Sequence, residues 1–461
     1  MAGAENPYMR GLFAPVKEET TAYEMAVTGR IPEELDGRYV RNGPNPLGVD
    51  DPVAYHWFSG DGMLHGVRLR GGRAEWYRNR WVRSDAMAMR LGEKILHGPR
   101  HLDMDFAPNS HVTRFAGRLL ALVEGGSLPY EVDAELDTVG PFDFAGTLPG
   151  GLAAHTTIDP DTEELHCVAY CWAWPYVQYL VVGTDGRVRR RVDVPVDGRP
   201  MMHDFSLTER HVLLYDLPVV FNPGGVGVGP SFPYVWEPGR PARLGVLPRE
   251  GRAADVRWLE IDPCFVFHPM NAYETEDGSG RIVIHLVRYE RLFAKGRTGP
   301  DGAPPVLERW TVDLRAGRVH RERLDDRPVE LPRVDPRRLT LPHRYGYAVL
   351  ESAESDLRAA RFPGIERMGC GLVKYDLERG TSEVRRFASQ GGVGEAVFVP
   401  AGPDAAEDDG WLLAYVHAPE RDATDLVILA ARDITGEPVA RVHLPVRVPA
   451  GFHGNWIPDR E

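Results

Sequence analysis

Residues 165–194 read Leu165-His-Cys-Val-Ala-Tyr170-Cys-Trp-Ala-Trp-Pro-Tyr-Val177-Gln-Tyr-Leu-Val-Val182-Gly-Thr-Asp-Gly-Arg187-Val188-Arg-Arg-Arg-Val-Asp-Val194. Short apolar runs rich in Val and Tyr alternate with turn residues. The first run follows Asp159-Pro-Asp-Thr-Glu163, and Thr184-Asp-Gly-Arg187 separates the last two. Runs of this length bounded by Pro-Asp and Asp-Gly specify strands joined by tight turns, not helices. The signature recurs at 118–124, 211–216, 281–287, 371–376, 411–416 and 425–431. Hairpins therefore continue from about residue 55 to the C-terminus. So long a series favours small antiparallel sheets repeated radially over a single sandwich. No strict sequence repeat of the common repeat propellers is present. The 49 glycines and 39 prolines leave little room for long helices. Short helices are predicted at 85–95 and 353–361. The glycine-rich stretch Gly224–Trp236 is expected to be a flexible excursion from a propeller face, since it opens no helix that could cradle a phosphate. No Ser/Gly linker divides the chain, so residues 1–461 are read as a single domain.

Composition excludes several classes. With 54 basic and 67 acidic residues the formal net charge is −13, which argues against nucleic acid as a partner. A 43% hydrophobic content is too high for a disordered chain. Four cysteines are too few for a disulfide scaffold, and Cys167 and Cys171 lack the paired spacing of a zinc site. They are read as reduced thiols of a cytoplasmic protein. The N-terminal Met-Ala-Gly-Ala-Glu-Asn-Pro-Tyr has neither a basic nor an apolar signal segment, and no run approaches 18 apolar residues.

The 16 histidines divide into two groups. His56, His65, His111 and His211 flank strands and turns, where a backbone or carboxylate hydrogen bond accounts for each. Four others stand among small or apolar residues at strand ends. These are His155 in Ala153-Ala-His-Thr-Thr157, His203 in Met201-Met-His-Asp-Phe205, His268 in Phe265-Val-Phe-His-Pro269, and His453 in Gly451-Phe-His-Gly-Asn-Trp456. Their separations of 48, 65 and 185 residues do not fit a helical metal motif, which places ligands three or four residues apart. They suit ligands delivered singly to the axis of a closed all-β body. Taken one at a time, each also reads as a buried, hydrogen-bonded histidine.

With these segments in place, the chain resembles the carotenoid cleavage oxygenase family, which includes stilbene-cleaving enzymes and a retinoid isomerase branch. The resemblance spans nearly the whole chain. It runs from Gly29-Arg-Ile-Pro-Glu-Glu-Leu-Asp-Gly-Arg-Tyr-Val-Arg-Asn-Gly-Pro-Asn45, through His56-Trp-Phe-Ser-Gly-Asp-Gly-Met-Leu-His65 and the histidine segments, to Phe452-His-Gly-Asn-Trp456. It implies an all-β, seven-bladed β-propeller with a cap of loops and short helices over an axial iron. It implies that His155, His203, His268 and His453 hold one Fe(II) per chain. It also implies that Glu124, Glu330 and Glu395 accept hydrogen bonds from three of those histidines.

Four neutral imidazoles leave a ferrous ion its full charge and two open positions, and an outer carboxylate fixes each ring's tautomer. The resemblance implies O₂-dependent cleavage of a conjugated C=C bond into two carbonyl products, with no catalytic residue beyond the metal site. The substrate is then an apolar conjugated small molecule. Phe58, Phe205, Phe267 and Trp456 are candidate tunnel walls, and Trp174 and Tyr273 also adjoin the motifs. As I-beams of core packing they would serve equally well. Stilbene-cleaving members carry a lysine before the first outer glutamate and an upstream tyrosine. Here Val123 precedes Glu124 and residues 94–104 contain no tyrosine. Valine cannot polarise a phenol. A carotenoid or apocarotenoid-like polyene is therefore the expected substrate, with a stilbene or phenylpropene as the alternative. Weak peripheral membrane contact through 219–221 or 232–236 is a further expectation. The competing classes are a non-catalytic propeller that binds a protein partner and a calcium-dependent propeller hydrolase, which needs axial carboxylates.

Overall fold

The computed structural model describes residues 6–53, 55–225, 232–294, 300–351, 369–387 and 392–459. Seven antiparallel sheets of four or five strands form a β-propeller. Blade I orders its strands Thr21–Tyr23, Arg73–Trp81, Gly62–Arg70, Gly37–Pro44 and Gly454–Pro458. Blades II to VI follow in chain order with four strands each. They run from His111–Phe115 to Thr138–Pro141, Thr156–Ile158 to Val188–Pro195, Phe205–Leu207 to Arg257–Ile261, Pro269–Glu274 to Arg318–Arg323, and Val329–Arg333 to Thr381–Arg386. Blade VII comprises Val397–Pro400, Gly410–Ala418, Ala423–Ala430 and Ala440–His443, with Val27–Gly29 as its outermost strand.

Blades I and VII thus draw strands from both ends of the chain. Tyr39 faces Trp456 across blade I, and Val27 faces Val442 across blade VII. Each blade is apolar in its middle strands and polar at its rim. Leu165–Ala169 and Ala423–Ala430 are almost wholly buried, whereas Arg318–Arg323 is mostly exposed. Neighbouring sheets therefore bury both faces of their middle strands, and charged residues guard the outer edges against pairing with other chains. Trp310, Tyr215 and Tyr179 are among the largest fully buried side chains.

The helix expected near 85–95 forms at Asp85–Leu91. Ser84 caps its start through the Met87 N–H, and Gly92 ends it early in the left-handed region at φ 69°. The helix expected at 353–361 lies outside the described residues. In Gly224–Trp236, residues 226–231 likewise lie outside them. Val219–Phe221 pairs with Tyr234–Trp236 as a short hairpin. All four cysteines are free thiols, and three are buried. Among the described residues no helix is long and apolar enough to cross a membrane.

Candidate metal centre

The innermost strands of the seven blades begin around one axis. At or within two residues of each start stands a chemically distinctive side chain. In blade order these are His453, His111, His155, His203, His268, Glu330 and Glu395. Four of them converge. One ligand atom from each of His155, His203, His268 and His453 lies within 4.8 Å of the others. The ring of His155 is 4.4 Å from that of His203 and 4.6 Å from that of His453, centroid to centroid.

His111 holds the equivalent place in blade II but faces other partners. Its Nδ1 donates to the Ala154 carbonyl at 3.0 Å, and its Nε2 then accepts from the Asn455 amide at 3.1 Å. Both nitrogens are committed, so His111 is a strut and not a ligand. His56, His65 and His211 also have local partners, in the Phe58 N–H, the Tyr77 hydroxyl and Glu274.

A carboxylate stands beside the Nδ1 of each converging ring. Glu330 lies 2.6 Å from His268, and Glu395 lies 2.9 Å from His453. Glu124 is 3.6 Å from His203, too long for the expected hydrogen bond. Its other oxygen takes the Ala154 N–H at 2.9 Å instead. Asp204, to which the sequence reading gave no role, lies 3.2 Å from His155. Arg333, also overlooked, grips Glu395 with Nε and Nη2 at 2.8 and 2.9 Å.

Two backbone features set these carboxylates in place. A register shift between Glu330 and Arg333 breaks the regular pairing of blade VI, with Leu331 in the left-handed region at φ 51°. Such irregularities re-aim side chains. Here Glu330 reaches His268 while Arg333 reaches Glu395. Glycines allow the second approach. A Cβ on Gly151 would stand 2.0 Å from the Gly126 carbonyl oxygen, so the loop after Glu124 and the loop before His155 touch backbone to backbone. Gly151→Ala is expected to force them apart, costing about 1–3 kcal/mol of stability. Thermal denaturation checks this, and an unchanged melting temperature would refute the close approach.

Burial dominates the electrostatics. It holds His155 well below the ordinary histidine value, with the neighbouring His203, His453, His268 and His111 rings adding to the effect. It pushes His453 down to about 3, against the pull of Glu395. Burial alone would raise Glu395, but Arg333 and His453 outweigh it and keep that carboxyl well below its usual range. Burial pushes Asp204 up to about 8, against the opposing pull of His268, the Phe205 N–H and Arg333.

This donor set fits a metal ion. A carboxylate can only accept, so each one favours the proton on the Nδ1 it faces. The Nε2 atoms are then bare lone pairs. His155 Nε2 has no hydrogen-bond partner, and the Nε2 atoms of His203 and His268 face each other at 3.3 Å. Two lone pairs repel at that separation, and a cation between them relieves the repulsion. With metal–nitrogen bonds of about 2.1 Å, ligands at right angles stand about 3 Å apart.

The ring separates two cavities. One of about 1130 Å³ is lined by residues that precede the ring residues, including Met201, Phe267, Gly394 and Phe452. The other, of about 150 Å³, is lined by residues that follow them, including Thr156, Phe205, Met270 and Asn455. Each inner strand leads away from the ring, so its residues end on the far side from the large cavity. Of the four tunnel candidates, Phe58 and Phe267 line the large cavity. Phe205 and Trp456 do not. Phe205 borders the small cavity, and Trp456 packs against the core between blades I and VII. Trp174 stacks on Tyr176, and Tyr273 packs beside His343. The remaining walls include Trp57, Trp172, Phe221, Phe232 and Tyr234, so aromatic rings of 219–221 and 232–236 face this cavity.

A model of the family described as retinal pigment epithelial membrane protein matches residues 13–458. The chain belongs to this carotenoid oxygenase family. A carotenoid cleavage oxygenase of Mycobacterium tuberculosis is 46% identical, over 99% of this chain and 98% of its own length. Two family crystal structures share the fold. Lignostilbene dioxygenase of Pseudomonas brassicacearum superposes with a TM-score of 0.86 at 26% identity, covering 98% of both chains. Cobalt-substituted Synechocystis apocarotenoid oxygenase gives 0.83 at 28% identity, over 96% of this chain and 97% of its own. The seven-bladed propeller implied by the family motifs is the fold observed here.

Proposed function

We propose that this chain is an Fe(II)-dependent oxygenase that cleaves a C=C bond of a carotenoid or apocarotenoid-like polyene with O₂, giving two carbonyl products. The observation that carries this reading is the aromatic cavity of about 1130 Å³ that ends on four converging histidines. Its volume exceeds the roughly 300–1,000 Å³ of ordinary small-molecule sites, as an elongated substrate requires. The 46% identity to a carotenoid cleavage oxygenase supports the same class.

His155, His203, His268 and His453 would hold the iron, which when bound supplies the redox chemistry that activates O₂. The other residues bind and orient. Phe58 stands edge-on to Phe232 and Phe452 at 5.1 and 5.5 Å, forming an apolar clamp for a flat conjugated chain. Phe267 packs edge-on against His203 at 4.9 Å, on the cavity side of the four histidines. These walls exclude water from the reacting alkene.

The structural likeness to lignostilbene dioxygenase favours a second reading, cleavage of a hydroxystilbene. Val123 opposes it, because it lines the cavity just before Glu124 and offers no hydrogen bond to a phenol. Incubating iron-loaded protein with an apocarotenal, a β-carotene-type carotenoid and a hydroxystilbene, with products identified by mass, separates the two. Aldehydes from a polyene are expected. Cleavage of the stilbene alone would establish the second reading, and cleavage of none would overturn both.

A further inference from the structure

We propose that Asp204 is a fourth outer carboxylate of the metal centre, accepting the Nδ1–H of His155 and holding that ring with Nε2 toward the ion. This rests on the metal-binding reading above. The family motifs imply three glutamates for four histidines and leave one ring without a partner. The structure fills the vacancy with an aspartate, 3.2 Å from His155.

Three observations support a positioning role. First, Asp204 is anchored. Its Oδ1 accepts the Phe205 N–H at 2.7 Å, which leaves Oδ2 directed at His155. Second, its side chain is only 13% exposed, and among the described residues His155 is its one ion-pair partner. A buried carboxyl group that no guanidinium or ammonium contacts is costly, so its position calls for a purpose that packing alone does not supply. Third, its placement beside an Nδ1 matches that of the other three carboxylates. Each carboxylate comes from a different blade than its histidine. Glu330 in blade VI serves His268 before blade V, and Asp204 before blade IV serves His155 before blade III. Consecutive residues therefore have separate tasks, His203 offering a ligand and Asp204 steering the ligand of the preceding blade. The arrangement also surrounds the site with four acidic side chains, and among the described residues Arg333 is the one guanidinium paired with any of them, an acidic balance suited to a divalent ion.

The test is anaerobic titration of Co(II) into metal-free wild-type, Asp204→Asn and Asp204→Leu proteins, following affinity, the visible Co(II) absorption and the metal-free melting temperature. The leucine variant is expected to bind Co(II) about 10–100-fold more weakly, with an altered absorption band. Its metal-free melting temperature is expected not to fall. The asparagine variant, whose amide oxygen still accepts from Nδ1–H, is expected to lie between it and wild type. It decides the matter alone if the leucine chain fails to fold. Wild-type affinity and spectrum in the variants would overturn the proposal, as would a lower metal-free melting temperature with unchanged affinity. A wild-type chain that binds no Co(II) would instead overturn the metal reading itself.

Discussion

Replacing His268 by alanine is expected to empty the centre, taking iron from about one per chain to near zero and turnover down by more than about 100-fold. Loss of an outer carboxylate alone costs about 10–100-fold, and a ligand should cost more. The substitution removes one of the two Nε2 atoms that face each other at 3.3 Å, and it leaves Glu330 with the Tyr289 hydroxyl at 2.7 Å. The metal-free chain should lose only part of its stability, because removing the repulsive contact offsets some of the lost Glu330 hydrogen bond. The stabilisation by metal should vanish. At a free-ion concentration of 100 Kd that stabilisation is about 2.7 kcal/mol. Metal analysis and thermal melting with and without Fe(II) check both halves. Iron near one per chain with full turnover would show that the four histidines do not form the site.

The second large effect is expected at Arg333. Arg333→Met should destabilise the protein by about 3 kcal/mol even without metal, the lower end of the range for breaking a buried ion pair. The lower end applies because the arginine side chain is 28% exposed, whereas Glu395 is 2% exposed. Glu395 bonds His453, the Gly454 N–H and both guanidinium nitrogens, while Arg333 also donates to the Gly454 carbonyl at 2.8 Å. Blades VI, VII and I are stitched together through these few atoms. Removing the guanidinium leaves a buried carboxylate that gains stability by taking up a proton. The variant's deficit should then shrink as pH falls toward the ordinary carboxylate range. Urea denaturation at two pH values measures it, and a loss below about 0.5 kcal/mol, usual for surface changes, would contradict the account.

What the sequence made legible follows from how local each signal is. Strands announced themselves because Val-rich runs and Asp-Gly turns are properties of neighbouring residues. The choice of four histidines among 16 rested on family motifs, since convergence on an axis is not a local property. His111 shows why. It begins an inner strand just as the ligands do, and only the Ala154 carbonyl and Asn455 amide mark it as a strut. Glu330 could be placed by motif, but the register shift that carries Arg333 to Glu395 has no obvious sequence mark. Phe205 and Trp456 adjoin ring histidines in sequence, which makes them candidates for the tunnel wall. The direction of the inner strands decides otherwise, because residues after the ring histidines leave the large cavity behind. Asp204 was overlooked because it adjoins His203 yet serves His155.

The sharing of blades I and VII between the two chain ends bears on the order of folding. Contacts between residues hundreds of positions apart form late, since their loop-closure cost precedes any reward. His453 stands one residue before Gly454–Pro458, the strand that completes blade I against Gly37–Pro44. A nascent chain that lacks this segment can build the middle blades but holds only three of the four histidines. Metal capture on the full set would thus be a late event, a checkpoint passed only by a closed ring. Conversely, fraying of the terminal strand would withdraw one ligand before the blades themselves come apart, so the rate of metal escape should report how often the ring opens.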